Sequence, residues 1–358
     1  MLEVTPLNLS RSDFRDRDFI ETLDGYFFTV VGNTHPSGRV LAYLKYYPEA
    51  KGKWRRVSQT YDRAIKYYDI PHLKDAVRLV SERCSRYLYR DDLLNITFTA
   101  VPLEAVGFHY KPEEKLMSFI DGEELDPLQK KALDLALKLS RNSDIQLSKF
   151  GVTGSILIGL HQQEFSDVDI TVYGKRNGLR VRESMIDIFN SEDQELVRSP
   201  PELNPTPARE SRLRLMNREQ LKLFYERKWN RGLFRGTPFS VNPVLEPVDV
   251  KEKYGDYKYI PQGIVEAEGT VTDASESIFV PARYVVSDVE VESGPVAKEI
   301  SEIVSFDRDY GDVAFEGERI SVKGKLERVE RLRDGDSYFR IVVGSIECGG
   351  SDYIKVET

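Results

Sequence analysis

Residues 151–174 read GVTGSILIGLHQQEFSDVDITVYG, and this stretch holds the side chains best suited to chemistry. Asp167 and Asp169 stand two apart at the head of an apolar run, so on a strand both carboxylates emerge from one face. Two carboxylates at one spot repel each other unless a cation lies between them. An all-oxygen donor set of this kind suits Mg²⁺ or Mn²⁺, which keep several waters and complete their shell with substrate phosphates. Gly154 and Ser155 supply a complementary half. A glycine lets backbone N–H groups approach an anion, a helix starting there favours negative charge, and the serine hydroxyl donates to a phosphate oxygen. The bland alternative is a surface loop in which Ser155 caps a helix and both aspartates are solvated. Asp-x-Asp alone would favour that loop, whereas a Gly-Ser turn ahead of it favours a site.

Such groups need a strand, a turn, a short helix and a second strand to hold them, and the pattern provides that order. Ahead of the turn, 145–152 reads as a strand and Lys149 faces either solvent or phosphate. A helix precedes it, with Asp126 as N-cap, Pro127 at the first position, and Leu128, Ala132, Leu135, Ala136 and Leu139 on one face through about Arg141. Beyond Gly174, which ends the second strand, Arg180, Val181, Met185, Ile186 and Phe189 sketch a helix to about Asn190. The stretch 199–207, SPPELNPTP, is too proline-rich for regular structure and reads as a linker or extended arm. Asn217 and Gln220 then open a helix ending near Asn230 that buries Leu221, Phe224, Tyr225 and Trp229, and 237–245 forms the next strand.

Gly154-Ser155, a spacer spanning 156–166, then Asp167-Val168-Asp169 on a strand resembles the nucleotidyltransferases of the DNA polymerase beta type. The resemblance covers roughly 125–250, and the whole chain is similar to an archaeal group of predicted nucleotidyltransferases. It implies an α+β fold with a polymerase-beta-like core, and transfer of an NMP from an NTP to an acceptor hydroxyl with release of pyrophosphate. Asp167 and Asp169 would hold Mg²⁺ or Mn²⁺, and Gly154 and Ser155 would anchor phosphates with help from Lys222, Arg231 or Arg235. The superfamily also takes a third carboxylate from a later strand. The alternating positions of 237–245 offer Ser240, Asn242 and Val244, so Glu246 is the expected third acid, ahead of Asp249. Without either, a two-aspartate site would bind nucleotide and metal but catalyse poorly. RNA or DNA ends, a protein side chain and a small-molecule hydroxyl all remain open as acceptors.

The rest of the chain divides around this core. Residues 1–122 mix strand and helix signals into an α+β unit: a hairpin from 26–31 and 40–47, an amphipathic helix over 72–89 and a strand over 95–101. His35, His72 and His109 are dispersed and read as structural. The tyrosines with Lys45, Arg55, Arg56, Arg63 and Lys66 suit either nucleic-acid stacking or a half-buried sheet, and the sheet is favoured. The nucleotidyltransferase core occupies 123–250. From 257 to 358, short alternating strands read as an all-β, barrel-like domain, in which Gly269 and Gly324 lie in similar EGTV and KGKL strands.

Charge follows the same division. The net −8 is concentrated from Lys251 onward, where 23 acidic and 14 basic residues give −9, against +1 for 1–250. Between Arg198 and Arg235, ten basic residues face four acidic ones, a local +6 that suits a phosphate-rich ligand. In the acidic β-domain, nucleic-acid binding would need Lys323, Lys325, Arg328, Arg331 and Arg333 to form a stripe. Cys84 and Cys348 stand far apart without partners at ligand spacing, which excludes a disulfide framework or zinc site as organiser. No apolar run approaches the ~18 residues of a membrane span, so a cytoplasmic location is expected. The expected partners are thus an NTP substrate and an acceptor for which RNA or DNA is one candidate, with no membrane. Competing readings are a catalytically weak nucleotide- or nucleic-acid-binding protein, and a structural subunit whose β-domain docks a partner.

Overall fold

A computed structural model describes residues 10, 13–65, 70–122, 124–191, 193–199 and 215–357. The proline-rich 199–207 stretch lies, after Ser199, outside the described residues, as do Lys66 and Arg209, Arg212 and Arg214 of the basic segment. Among the described residues the fold is α+β, with its strands gathered into three sheets.

Aromatic and β-branched runs build the first sheet from β1 (Phe19–Thr22), β2 (Phe27–Val30), β3 (Arg39–Pro48), β4 (Trp54–Arg56), β5 (Gln59–Arg63), β6 (Leu88–Asp91), β7 (Ile96–Pro102) and β8 (Val106–Tyr110). The expected hairpin is β2 with β3, in antiparallel register from Phe27 opposite Tyr46 to Val30 opposite Ala42. Helix α1 (Ile70–Arg83) stops short of the expected end at 89. Beyond Cys84 the chain makes one 3-10 turn, and Leu88 then pairs with Thr99 of β7. Ladder hydrogen bonds are thus taken up where side-chain periodicity alone would have continued the helix.

The central sheet comprises β9 (Phe150–Thr153), β10 (Val168–Tyr173), β11 (Leu196–Arg198), β12 (Arg231–Phe234) and β13 (Thr237–Val244), in the order β11-β12-β13-β10-β9. Helix α2 (Pro112–Ser118) lies against β9, and α3 (Pro127–Ser143) and α5 (Lys175–Asn190) pack over the sheet through Leu135, Leu139, Val181 and Met185 onto Val152, Ile170 and Val172. The α3 start is the expected one: Asp126 accepts from the N–H groups of Leu128 and Gln129, and the Gln129 side chain accepts from the Asp126 N–H. The strand before the Gly-Ser turn is shorter than 145–152. Ile145 N–H bonds to Ser140 O and Lys149 N–H to Gln146 O, so neither is free for a ladder and the strand begins at Phe150.

The third sheet comprises β14 (Tyr257–Glu276), β15 (Ala282–Ser293), β16 (Ile300–Ser305), β17 (Arg319–Arg331), β18 (Ser337–Val343) and β19 (Tyr353–Val356). It runs β14-β15-β16-β18-β17, and pairing of β14 with β17 closes the ring, with β19 added on β17. Closure removes exposed edges, as a barrel does. The two similar glycine strands are neighbours, Val265 lying opposite Gly324 and Gly269 opposite Ile320. The helix Arg218–Glu226 opens with the expected Asn217–Gln220 capping box. Its Phe224 packs into the barrel core, whereas Trp229 enters the core of the central sheet.

Candidate functional site

The site is assembled from the ends of β9 and β10 and the neighbouring strand β13. Thr153 pairs with Asp169 across the antiparallel β9–β10 ladder, and Asp169 lies opposite Ser240 across the parallel β10–β13 ladder. Gly154 follows at once with φ +70°, and a Cβ there would sit 2.3 Å from Asp169 Oδ2. Only glycine tolerates both the left-handed backbone and that approach. Ser155 is the second residue of α4 (Gly154–Leu157), a single turn, and is 4% exposed. The apolar run that follows docks Leu157, Ile158 and Leu160 on Phe19, Phe27, Tyr46 and Tyr61 of the first sheet. Thr153 Oγ1 also donates to Arg17 O at 2.8 Å. The Gly-Ser turn is therefore held from both sides.

Asp169 accepts a hydrogen bond from Ser240 Oγ at 2.5 Å, and Ser240 in turn accepts from Asn242 Nδ2 at 2.8 Å. Asp167 is exposed where it opens onto a cleft, with protein crowding the rest of its surroundings. Repulsion from Asp169, then loss of water, push its carboxyl up to about 6, against the opposing pull of Lys45 and Arg63. The cleft has a volume of about 1360 Å³ and is bounded by all three sheets. Arg17, Lys45 and Arg63 line it on the side of the first sheet, Ser155, Asp167, Asp169 and Arg231 in the centre, and Arg283 and Arg340 on the barrel side. Arg17 is 6% exposed, has φ +76° and pairs with Asp16 at 3.1 Å. A strained, buried cation in a cleft wall is a frequent mark of a functional position.

The structure thus brings together Gly154, Ser155, Asp167, Asp169 and Arg231, the last lying opposite Ser240 in the β12–β13 ladder. It does not bring Glu246 to them. Glu246 lies beside Gly174, at the far end of β10 from Asp169, in an ion pair with Lys149 at 2.7 Å. Asp249 accepts from the N–H groups of Lys175 and Glu246, which binds it to the start of α5. Lys222 pairs with Glu226 along its own helix, and Arg235 with Asp134 and Glu195, away from the carboxylates. Much of the basic segment instead fastens the barrel: Arg227 grips Glu318 with both Nη atoms, Lys228 donates to the carbonyls of Asp309 and Gly311, and Arg231 pairs with Asp309 at 2.8 Å. The five basic residues proposed for a stripe on the barrel are each paired with an acid there. Two of the three histidines read as structural are tied into the fold: His35 bridges Leu41 N–H and Phe14 O, and His109 pairs with Asp18.

Ser240, Lys45, Arg63 and Arg17 are the members that the sequence did not mark as site residues. Lys45 and Arg63 were visible only as cations among tyrosines, and nothing local shows that β3 and β5 face β10. The donor set at the centre is all oxygen, with two carboxylates, and it fits a hard divalent cation that completes its shell with water and phosphate. Among the described residues no group of three or more His, Cys, Asp and Glu side chains gathers to hold a metal.

Fold and site together define an α+β protein whose carboxylate-bearing cleft lies between a central sheet, an N-terminal sheet and a closed barrel. The chain belongs to the family of an archaeal protein, uncharacterized protein MJ1086 of Methanocaldococcus jannaschii, with which it is 32% identical over 358 residues, covering 96% of this chain and 99% of the relative. No family model matches the chain, and no solved structure matches it. No helix among the described residues is long and apolar enough to cross a membrane.

Proposed function

We propose that the protein transfers a nucleotidyl group from an NTP to an acceptor hydroxyl, using a divalent metal held by Asp167 and Asp169. The observation that carries this reading is the fit of Gly154 against Asp169: the turn and the carboxylate are packed so closely that no side chain fits between them. The order β9, turn, α4 and β10 is the strand, turn, helix and strand that the resemblance in the sequence leads one to expect, and it supports this reading.

In this reading the N–H groups of the 154–156 turn and the Ser155 hydroxyl bind the β- and γ-phosphates. Lys45 and Arg63, which already act on Asp167, neutralise the same phosphates from the opposite wall. Ser240 orients Asp169 by donating to one carboxylate oxygen and leaving the other free to bind. Mg²⁺ or Mn²⁺, when bound, lowers the pKa of the attacking hydroxyl and offsets charge on the leaving pyrophosphate. The acceptor oxygen attacks the α-phosphorus, the bond to the bridging oxygen breaks, and pyrophosphate departs with its electrons. Positioning and charge neutralisation supply most of the rate in such chemistry.

One observation favours a second reading. The β13 residue opposite Asp169 is Ser240, where the superfamily would be expected to place its third acid, so the protein could be a nucleotide-binding relative with slow turnover. A single assay separates the two: each α-labelled NTP is incubated with Mg²⁺ or Mn²⁺ and total RNA or a small-molecule extract, comparing wild type with the Asp167→Ala, Asp169→Ala double variant. Transferred label that disappears in the variant supports transfer. Metal-dependent NTP binding without transfer supports the second reading, and the absence of both removes the site.

A further inference from the structure

The barrel presents the cleft with a wall chemically unlike the carboxylate end. In a closed barrel alternate residues of each strand fill the interior, and those between them face outward. Glu302 of β16, Arg340 of β18 and Glu327 of β17 are cross-strand partners in one outward row, and Val304, Val342 and Lys325 form the next. This outward face lines the cleft. Glu302, Lys325 and Glu327 are only 4%, 4% and 2% exposed. Burying so many charges is no better for stability than an apolar face of the same size. Barrel stability therefore does not account for them.

Their pairing indicates what they could recognise. Arg340 donates Nε to Glu327 at 2.9 Å and stacks 3.8 Å from the Tyr259 ring centroid. Lys325 lies 2.8 Å from Glu327, Arg283 lies 3.2 Å from Glu302, and the Tyr338 hydroxyl donates to Glu302 at 3.2 Å. Arg283, Lys325 and Arg340 are thus all committed to carboxylates. A polynucleotide binds chiefly by giving its phosphates to Lys and Arg side chains, and here the charge of these three is already offset by carboxylates that would repel a phosphate. What the wall offers is an alternation of N–H donors and carboxylate acceptors beside two phenol rings. A hydroxyl both donates and accepts, so adjacent hydroxyls match such a row, while the apolar face of a ring or chain rests on tyrosine.

The geometry points to this barrel wall as the acceptor subsite, its ligand a compact, hydroxyl-rich small molecule of the sugar or polyol class. The inference rests on the nucleotidyl-transfer reading above. One hydroxyl of that ligand gives its proton to water and bonds to the α-phosphorus as the bond from that phosphorus to the β-phosphate oxygen breaks, releasing pyrophosphate.

The test uses the full chain, α-labelled NTPs and Mg²⁺ with alternative acceptors: a nucleic-acid-free small-molecule extract of archaeal cells, the same extract after periodate cleavage of vicinal diols and quenching, and RNA and DNA oligonucleotides with free 3′ hydroxyls. Label is expected in a small product from the intact extract, and not from the periodate-treated extract or the oligonucleotides. Arg283→Gln should raise the KM for the extract about tenfold while the KM for NTP stays constant. Tyr338→Phe, which removes a single hydroxyl, is the milder second variant and should move the acceptor KM in the same direction. Label in oligonucleotides, acceptor activity that survives periodate, or equal changes in both KM values would each overturn the inference. So would no transfer to any acceptor while metal-dependent NTP binding persists, an outcome that leaves the nucleotide site standing. NTP binding that is absent, or unchanged by Asp167→Asn with Asp169→Asn, would instead overturn the transfer reading and this subsite together.

Discussion

At Gly154 a single hydrogen in place of a methyl group lets the turn and Asp169 coexist. Gly154→Ala would set a Cβ 2.3 Å from Asp169 Oδ2 and impose φ +70° on an L-residue. The backbone term is about 1 kcal/mol, too small to unfold the chain, whereas displacing the carboxylate by about 1 Å should lower transfer about 100-fold. Denaturation and initial rates on the same variant distinguish these effects. Asp167 carries a pH signature. Its carboxyl lies near 6 in the fold against 3.8 for the ordinary group, so the folded state favours the protonated form. Stability from this group is therefore lost as pH rises from about 4 to 6, and the loss persists above 6. Thermal melts without divalent metal should show Asp167→Asn gaining on wild type across that interval and holding its gain above it. Added Mg²⁺ should reverse the gain by stabilising only wild type. Glu246→Gln, by contrast, should leave transfer within about twofold of wild type, because its partner is Lys149 and its position is remote from the pair.

The elements around these residues were legible to different degrees. Capping at Asp126 and Asn217 is written in adjacent residues, and both caps form as their sequences indicate. So does the β2–β3 hairpin, because its turn glycines flank strand formers. The Gly-Ser turn and Asp-x-Asp were also readable, being local. Strand 145–152 and the 72–89 helix were overextended, since side-chain periodicity does not reveal where backbone N–H groups find other partners. The placement of Lys45 was not legible at all. It depends on Leu157, Ile158 and Leu160 docking on the first sheet, a contact between residues 96 or more apart in the chain. Lys45→Met should therefore weaken NTP binding about tenfold while leaving Mn²⁺ binding in the absence of nucleotide unchanged or stronger, since it removes a competing charge from Asp167. Calorimetric titrations with and without nucleotide measure both quantities.

On the scale of the whole molecule, the charge asymmetry has a structural use. The acidic barrel and the basic segment ahead of it meet in a fastening, with Arg227 held by Glu318 and by Val313 O. The sequence showed the +6 segment but not its destination, which is why Lys222 and Arg235 were expected at phosphates. Arg227→Met should cost about 2 kcal/mol in chemical denaturation, because it leaves a partly buried carboxylate unpaired. Its effect should appear as altered unfolding of the barrel against the core, with NTP affinity retained in the folded protein. The cleft between the three sheets then has a division of labour: cations of the first sheet beside the aspartates, and a wall of paired charges on the barrel.

The central claim is that Asp167 and Asp169 jointly hold a metal–nucleotide complex, and calorimetric titration of Mg²⁺–NTP into the wild-type chain and into Asp169→Asn tests it most directly. Saturable binding by wild type that requires the metal and falls at least about 100-fold in the variant is the expected result. NTP binding of equal strength in both proteins, or no binding to wild type with any of the four NTPs, would contradict the claim.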